Sequence, residues 1–307
     1  MSATIGLDDP TVFDRTSIYN LSIGLPTTGT GTIASAYGGV RAPDIVGNIR
    51  VDQAWGLFQI SAAAHQLNAS YDILGAGGAP NALSEIGGHP ETKWGGSVMA
   101  ALQIKNIPTG PGDDIKVDAT YAVGKTKDVI STSAASPSFL IYGPQGGGGA
   151  AFGAYQSFGF GATTDALYDP RFGDGSLHLT KAWGVRGAYN HNWDPYWSTS
   201  LFGSYSAVRY DDTAKALYCT EFVRVTAPVV GSGFSCNPDF NVSQLGMVTR
   251  WTPVKNLTFS AEVMWFHLDQ KFTGSTLVPG PAPKPLAVYN FADQDVFSLN
   301  VRVQRNF

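Results

Sequence analysis

Residues 295–307 have the sequence DVFSLNVRVQRNF, in which apolar and polar side chains alternate almost without interruption. The apolar positions are Phe297, Leu299, Val301, Val303 and Phe307. The polar positions between them are Ser298, Asn300, Arg302, Gln304 and Asn306. A period of two predicts a β-strand, because successive side chains of a strand point to opposite faces. We expect this strand to place one face against an extended apolar environment and the other in water.

The composition of the chain suits strands with two unlike faces. Charged residues make up 14% of the 307 residues, aromatic residues make up 12%, and 36 residues are glycine. Soluble domains usually contain roughly 25% charged residues. The net charge of −4 and the lack of a Lys/Arg cluster argue against nucleic-acid binding. No apolar run reaches the length of about 18 residues that a transmembrane helix needs.

Ten strands are predicted, and the connections between them alternate strictly between long and short. Their predicted bounds are Ser2–Leu7, Asp44–Asp52, Trp55–Leu67, Lys93–Lys105, Asp114–Gly124, Leu177–Asn192, Trp197–Tyr210, Asn241–Trp251, Leu257–Asp269 and Asp295–Phe307. Antiparallel strands joined in this way place all long loops at one end, which is the plan of an outer-membrane barrel. We therefore predict an all-β fold, an antiparallel transmembrane β-barrel, in which residues 1–307 form a single domain.

The apolar strand faces support this prediction, because they carry almost no charge. An Arg or Lys facing lipid at the bilayer midplane costs about 2–4 kcal/mol, falling to about 0–1 kcal/mol near the interfaces. The two exceptions, Lys181 and Arg305, lie near strand ends. Aromatic residues gather toward both ends of the strands, where outer-membrane barrels carry belts at the headgroup level. The candidate belt residues are Trp55, Trp94, Trp197, Trp251, Trp265, Phe297 and Phe307.

The polar strand faces are predicted to line a water-filled lumen through which solutes diffuse passively. The basic residues on these faces are Arg50, Lys93, Lys105, Lys116, Arg186, Arg250 and Arg302, and the acidic ones are Asp118 and Glu262. Because charged side chains in a pore tune ion selectivity, seven bases against two acids favour a mild anion preference.

The two cysteines, Cys219 and Cys236, lie in one polar stretch without neighbouring residues at metal-ligand spacing. A disulfide is favoured over two free thiols, and it would imply an oxidising compartment. Motifs for catalysis or for nucleotide binding are not found, and the five histidines are scattered. We therefore predict no enzyme activity and no metal or cofactor. A non-conducting barrel used for adhesion or structure, and a barrel enzyme, stay open as alternatives.

Four segments carry a family resemblance: SATIGLDDP from Ser2, PDIVGNIRVDQAWG from Pro43, CNPDFNVSQLGMVTRWTPVKNLTFSAEVMWFHLDQK from Cys236 and FSLNVRVQRNF from Phe297. In these segments the chain resembles the alphaproteobacterial general porins, of the rhizobial and Brucella type. The resemblance implies a 16-stranded barrel in the bacterial outer membrane, surrounded by lipid and assembled as a homotrimer. It also implies an in-folded constriction loop and the passage of small hydrophilic solutes and ions.

The beginning of the chain departs from that family pattern. Its first residues, MSATIGLDDP, do not form a signal peptide, and its ten strands correspond to the last ten of sixteen. We therefore expect an N-terminally truncated chain whose first and last strands are open edges, with the family's constriction loop upstream of Met1.

Overall fold

The computed structural model describes residues 1–25, 35–75, 78–130, 132–134, 138–143, 156–279 and 286–306. In chain order the described strands are β1 (Ser2–Asp8), β2 (Ser17–Asn20), β3 (Asp44–Asp52), β4 (Gly56–Leu67), β5 (Lys93–Lys105), β6 (Asp114–Val123), β7 (Ser138–Gly143), β8 (Ser157–Ala162), β9 (Thr164–Tyr168), β10 (His178–Leu179), β11 (Lys181–Asn192), β12 (Trp197–Arg209), β13 (Ala227–Pro228), β14 (Phe240–Val254), β15 (Leu257–Gln270), β16 (Ser275–Pro279), β17 (Leu286–Phe291) and β18 (Gln294–Arg305). The α-helices are α1 (Ser84–Gly87) and α2 (Asp212–Val225), and short 3-10 helices span Leu21–Ile23 and Thr126–Asp128.

Ten of these strands form one sheet, in the order β1-β3-β4-β5-β6-β11-β12-β14-β15-β18. Every neighbouring pair in it is antiparallel. These are the ten predicted strands, and the largest differences in bounds are at the start of β11 and the end of β14. The predicted antiparallel, barrel-type β fold is thus confirmed. Strands β1 and β18 form the two edges of this sheet and are not paired with each other.

The two faces of this sheet have opposite chemical character. On β18, Leu299 is 68% exposed and Val301 is 74% exposed. They lie opposite Val263 and Ala261 on β15, which share the same outward face. Large apolar side chains are exposed in this way along the whole sheet, including Ile5, Ile49, Ile60, Val98, Val117, Val185, Leu201, Leu245 and Met247. A continuous exposed apolar surface of this kind is typical of a wall that contacts lipid.

Short turns connect neighbouring strands at the end of the sheet opposite the long loops. Asn106 follows β5 with φ of 54°, and Asn256 lies between β14 and β15 with φ of 68°. Asparagine tolerates this left-handed conformation better than most residues with a side chain. These two residues therefore let the chain reverse direction within a few residues.

The long connections at the other end fold into two small sheets, which the sequence prediction left as loops except for β10, which lies within the predicted strand Leu177–Asn192. One has the order β10-β9-β2 and the other the order β13-β16-β17-β8-β7. Both contain a parallel pair made from distant parts of the chain, β2 with β9 and β17 with β8. Every residue of β8 and β9 is buried, so the alternating pattern that revealed the wall strands is absent from them.

An aromatic core holds this outer part together. Phe222 on α2 is fully buried, and its ring lies 5.0 Å from that of Phe272 and 6.1 Å from that of Phe160. Asp211 caps the N-terminus of this helix, and its side chain accepts a hydrogen bond of 2.7 Å from the Ala214 backbone N–H. Much of the buried hydrophobic core thus lies among the long connections, and it extends onto the loop ends of wall strands at residues such as Val208, Phe240 and Leu268.

A disulfide bond joins Cys219, on α2, to Cys236 in the segment that follows. The prediction that these two cysteines are bonded is confirmed. Because the bond ties the helix to the chain leading into β14, it restrains the outer part at its base.

No helix of the described residues combines the length and the apolar character needed to cross a bilayer.

Candidate functional site: the inner wall and the inserted segment

The face of the ten-stranded sheet opposite the exposed apolar face is called the inner wall below. Because side chains alternate along each strand, the strand register places the candidate pore-lining residues on this face: Arg50, Lys105, Lys116, Asp118, Arg186, Arg250, Glu262 and Arg302. Serine, asparagine and glutamine fill many of the positions between them. The inner wall is therefore polar along its length and carries both signs of charge.

Two cross-strand ion pairs neutralise part of the basic charge of the inner wall. Arg186 on β11 lies directly opposite Asp118 on β6, and Nε lies 2.8 Å from the carboxylate. Asp52 at the end of β3 contacts both Lys105, at 2.6 Å, and Arg50, at 3.2 Å. Each of these three basic residues therefore has an acidic partner.

The count of seven bases against two acids omitted Asp52 and Asp114, which lie at strand ends. Asp114 contacts Lys116 at 3.1 Å and accepts a hydrogen bond from Gln103. Lys93 donates instead to the Leu177 carbonyl, at 2.7 Å. The positive excess on the inner wall is consequently smaller than the sequence suggested.

Apart from Lys93 and Asp8 at the loop end, three charged groups of the inner wall form no ion pair with any described residue. Arg250 donates to the Ser200 hydroxyl at 2.8 Å, and Glu262 accepts from Asn300 at 3.1 Å. Arg302 is exposed. The charges available to a solute are therefore concentrated on β14, β15 and β18.

The described residues between positions 125 and 180, called the inserted segment below, lie partly against the inner wall. Lys125, at its start, is 8% exposed and lies 3.1 Å from the carboxylate of Asp44, which is 4% exposed. Asp44 also contacts His65 at 2.6 Å. Asp128 accepts a hydrogen bond of 2.5 Å from Ser97 on β5. These contacts fasten the start of the inserted segment to β3, β4 and β5.

The inserted segment continues across the inner wall toward the other edge of the sheet. The Ser206 hydroxyl on β12 donates to the Val129 carbonyl at 3.4 Å. Further on, the ring of Phe139 lies 5.4 Å from that of Phe266 on β15. Gly161 packs so closely on Phe240 of β14 that an added Cβ would lie 2.6 Å from the ring. The segment thus occupies space next to the polar face at the loop end.

A buried carboxylate joins the inserted segment to the first long connection. Asp165, on β9, accepts hydrogen bonds from the backbone N–H groups of Thr126, at 2.7 Å, and Thr16, at 2.8 Å. The hydroxyl groups of Thr16 and Thr126 also contact each other at 2.9 Å. This cluster holds the position of the turn that presents Lys125.

Electrostatics favour the charged form of Lys125. Burial acts to lower the pKa of its ammonium group, but the carboxylates of Asp128 and Asp44 outweigh that effect and raise the pKa above its usual value. The side chain therefore stays positively charged while it is bound to Asp44.

None of Asp44, His65, Ser97, Lys125 and Asp128 was selected from the sequence as a site residue. The signal was weak: Lys125 and Asp128 form a basic–acidic pair at i, i+3 spacing at the start of the longest irregular stretch. Their partners lie on three different strands, so the sequence alone did not bring them together.

The candidate belt residues within the described ranges lie on the outward face or at its ends. Trp55, Trp94, Trp197 and Trp251 are 61%, 50%, 43% and 38% exposed. Trp197 and Trp251 stack with ring centroids 5.7 Å apart across β12 and β14. Phe297 is also exposed, at 75%. The Trp265 indole donates a hydrogen bond to Asp295 at 2.8 Å. Phe307 lies outside the described residues.

Aspartate side chains contact four of the five histidines: His65, His178, His191 and His267. His89 contacts the Pro90 carbonyl. Within the described ranges, no group of three or more His, Cys, Asp or Glu side chains is placed to hold a metal ion.

A sheet with one exposed apolar face and one charged face is typical of the membrane-spanning β-barrel proteins. The sequence pattern of the porin subfamily matches residues 1–300, and the chain belongs to this porin family.

Among solved structures, the chain is similar to the outer-membrane channel DcaP of Acinetobacter baumannii, at 15% sequence identity and a TM-score of 0.43. The similarity covers 92% of this chain and 60% of that channel. No curated protein matches the sequence.

Proposed function

We propose that this chain forms the wall of a water-filled outer-membrane channel, through which small hydrophilic solutes and ions diffuse passively. The observation that carries the proposal is the unlike pair of faces on the ten-stranded sheet. Residues such as Val301 point to one side and are exposed, while Arg302 and Asn300 point to the other. A wall of this kind, with lipid on one side and water on the other, would let solutes pass by diffusion, without a chemical step.

The inserted segment narrows this channel at the loop end in the proposed function. Its contacts with Asp44, Ser97 and Ser206 keep it on the inner wall rather than in the external solvent. A solute entering between the long connections would therefore pass beside Asp128, which is 29% exposed, while Lys125 stays buried against Asp44.

The remaining features of the proposal are a weak anion preference and a place in the outer membrane as a homotrimer of the alphaproteobacterial porin type, with residues 1–307 acting as one domain. The anion preference is supported by Arg250 and Arg302, since Glu262 is the one acidic group on the inner face of β14, β15 and β18 that shares their lack of an ion pair among the described residues. The exposed aromatic residues, such as Trp55 and Trp94, support contact with lipid headgroups.

Planar-bilayer recording with the reconstituted protein tests this function. We expect stepwise conductance that is proportional to bulk KCl concentration, and a reversal potential across a KCl gradient on the anion-selective side. Stable insertion without conductance steps would contradict the channel and favour a structural or adhesive barrel. Cation selectivity would contradict the charge argument while leaving the channel intact. Cross-linking in membranes tests the trimer separately.

A further inference from the structure

A cavity of about 520 Å³ lies on the inner wall toward the short-turn end. Its charged and polar lining consists of Asp114, Lys116, Asn190, Ser200, Arg250 and Glu262. Asp114 and Lys116 satisfy each other as an ion pair. The charges left to interact with a bound solute are those of Arg250 and Glu262.

Arg250 and Glu262 form no ion pair with each other, and the strand register gives the spacing of their backbones. Arg250 on β14 lies opposite Ser260 on β15, and Glu262 is two residues further along β15. Diagonal positions of this kind lie about 7–8 Å apart in an antiparallel sheet. The two charged groups therefore share one face and remain separated.

Arg302 adds a second positive charge on the other side of Glu262. It lies opposite the same Ser260, on β18, so the two arginines flank β15 in one transverse row. Two strand spacings of about 4.8 Å place their backbones roughly 10 Å apart. A negatively charged group between the arginines would be attracted from both sides, while Glu262 lies one pleat away.

Hydrogen bonds hold Arg250 and Glu262 in place but leave both with unused capacity to bind a ligand. Arg250 uses one nitrogen on Ser200, which in turn donates to Asn190 at 2.8 Å. A guanidinium group has five N–H donors, so others remain for a carboxylate. Asn300 contacts one oxygen of Glu262, and the carboxylate retains capacity to accept from an ammonium group.

We infer that this cavity is a binding site for small zwitterions of the α-amino-acid type. The carboxylate of the solute contacts Arg250, with Arg302 nearby, and its ammonium group contacts Glu262. Two hydrogen bonds of about 2.9 Å plus the short distance between the charges of an amino acid bridge the gap between Arg250 and Glu262. A simple anion gains the arginines but is repelled by Glu262, and a simple cation meets the reverse arrangement.

This inference deepens the proposed channel function, since it names a solute class for the same inner wall. It is tested by saturation-transfer NMR on the full chain in lipid nanodiscs, with glycine, acetate and methylammonium as probes. We expect saturable binding of glycine that is tighter than binding of either single-charge probe.

Two variants separate the roles of the charges. Arg250→Gln should weaken glycine and acetate binding together. Glu262→Gln should weaken glycine about two- to five-fold, as for an exposed ion pair, while acetate binding becomes tighter. That opposite change is not expected from a general structural defect. Arg41→Gln and Glu91→Gln, at exposed loop positions, are matched controls and should leave glycine binding unchanged.

The outcomes distinguish the site from the channel. If the protein conducts KCl but glycine binding is absent, or if Glu262→Gln weakens glycine and acetate equally, the zwitterion site is wrong. If glycine binds with the expected variant pattern but no conductance is found, the site stands and the proposed channel does not.

Discussion

The ammonium group of Lys125 lies 3.1 Å from the carboxylate of Asp44, and both side chains are more than nine-tenths buried. This ion pair connects the start of the inserted segment to the first residue of β3. Because Asp44 also contacts His65 on β4, the pair joins a long connection to two adjacent wall strands. We therefore expect this ion pair to affect both the shape of the lumen and the folding of the outer part.

Replacing Lys125 by Met should release the inserted segment from the wall. Removing one partner of a buried ion pair costs about 3–5 kcal/mol. We expect a lower denaturation midpoint, faster proteolysis within residues 125–180, and noisier single-channel currents. Lys127→Met, in the same turn, is the control, because Lys127 forms no ion pair within the described chain. Equal effects of the two substitutions would show that the ion pair is not responsible.

Acid should weaken the short-turn end through Asp113, which lies in the turn before β6. Burial acts to raise the pKa of this carboxyl group, but hydrogen bonds from Thr109, the Asn192 backbone and His191 lower it to about 2. The unfolded value is about 4. A lowered folded-state pKa contributes stability above the unfolded value, and that contribution is lost as the pH falls from about 4 toward about 2.

The measurement for Asp113 is the thermal midpoint as a function of pH. We expect the native protein to lose stability between pH about 4 and about 2, and Asp113→Asn to be less stable at neutral pH with a flatter profile over that interval. An unchanged profile in the variant would assign the acid sensitivity to other carboxylates.

Gly161 should not tolerate a side chain, because its position against Phe240 leaves no room. An added Cβ would lie 2.6 Å from the ring, and overpacking of this kind costs about 1–3 kcal/mol. Gly161→Ala is expected to lower the denaturation midpoint, and the smaller Leu at position 240 should partly restore it. Gly187→Ala is the control, since its nearest neighbour would be a carbonyl oxygen at 3.7 Å.

The orientation of the wall is tested by adjacent substitutions on β18. Val301→Arg places a charge on the outward apolar face, where it costs about 2–4 kcal/mol at the bilayer midplane. Asn300→Arg places the same charge on the inner wall. We expect the first variant to insert poorly into membranes and the second to insert normally, as judged by membrane fractionation and resistance to protease. The opposite result would reverse the assignment of the two faces.

The wall strands could be predicted from the sequence because each strand has one apolar face and one polar face. The alternating residues 295–305 accordingly lie in β18, and the bounds of β3 and β5 match their predictions. The outer part could not be predicted in the same way. The segment containing α2 was expected to be a loop, and the buried strands β8 and β9 have no polar face to create a period of two.

The charged residues of the inner wall could be listed from the sequence, but their pairing and the contacts of the inserted segment with Asp44 and Ser97 could not. The inner-wall charges follow from alternation alone, whereas their partners depend on register. Asp118 faces Arg186 across one strand boundary, and Arg250 is offset from Glu262 by one pleat. A sequence count of charges cannot distinguish these two arrangements, although one neutralises a pair and the other leaves both charges available.

The mixed origin of the two small sheets has a consequence for molecules that approach from outside the cell. Strand β2 pairs with β9, and β17 pairs with β8. Because β2, β8 and β9 are fully buried, these pairings hold the surrounding connections, which come from distant parts of the chain, side by side. An antibody or phage that attaches to those connections would recognise a composite epitope. No linear peptide copied from one connection would reproduce this epitope. Sequence changes in one strand would also be constrained by the strand that it pairs with.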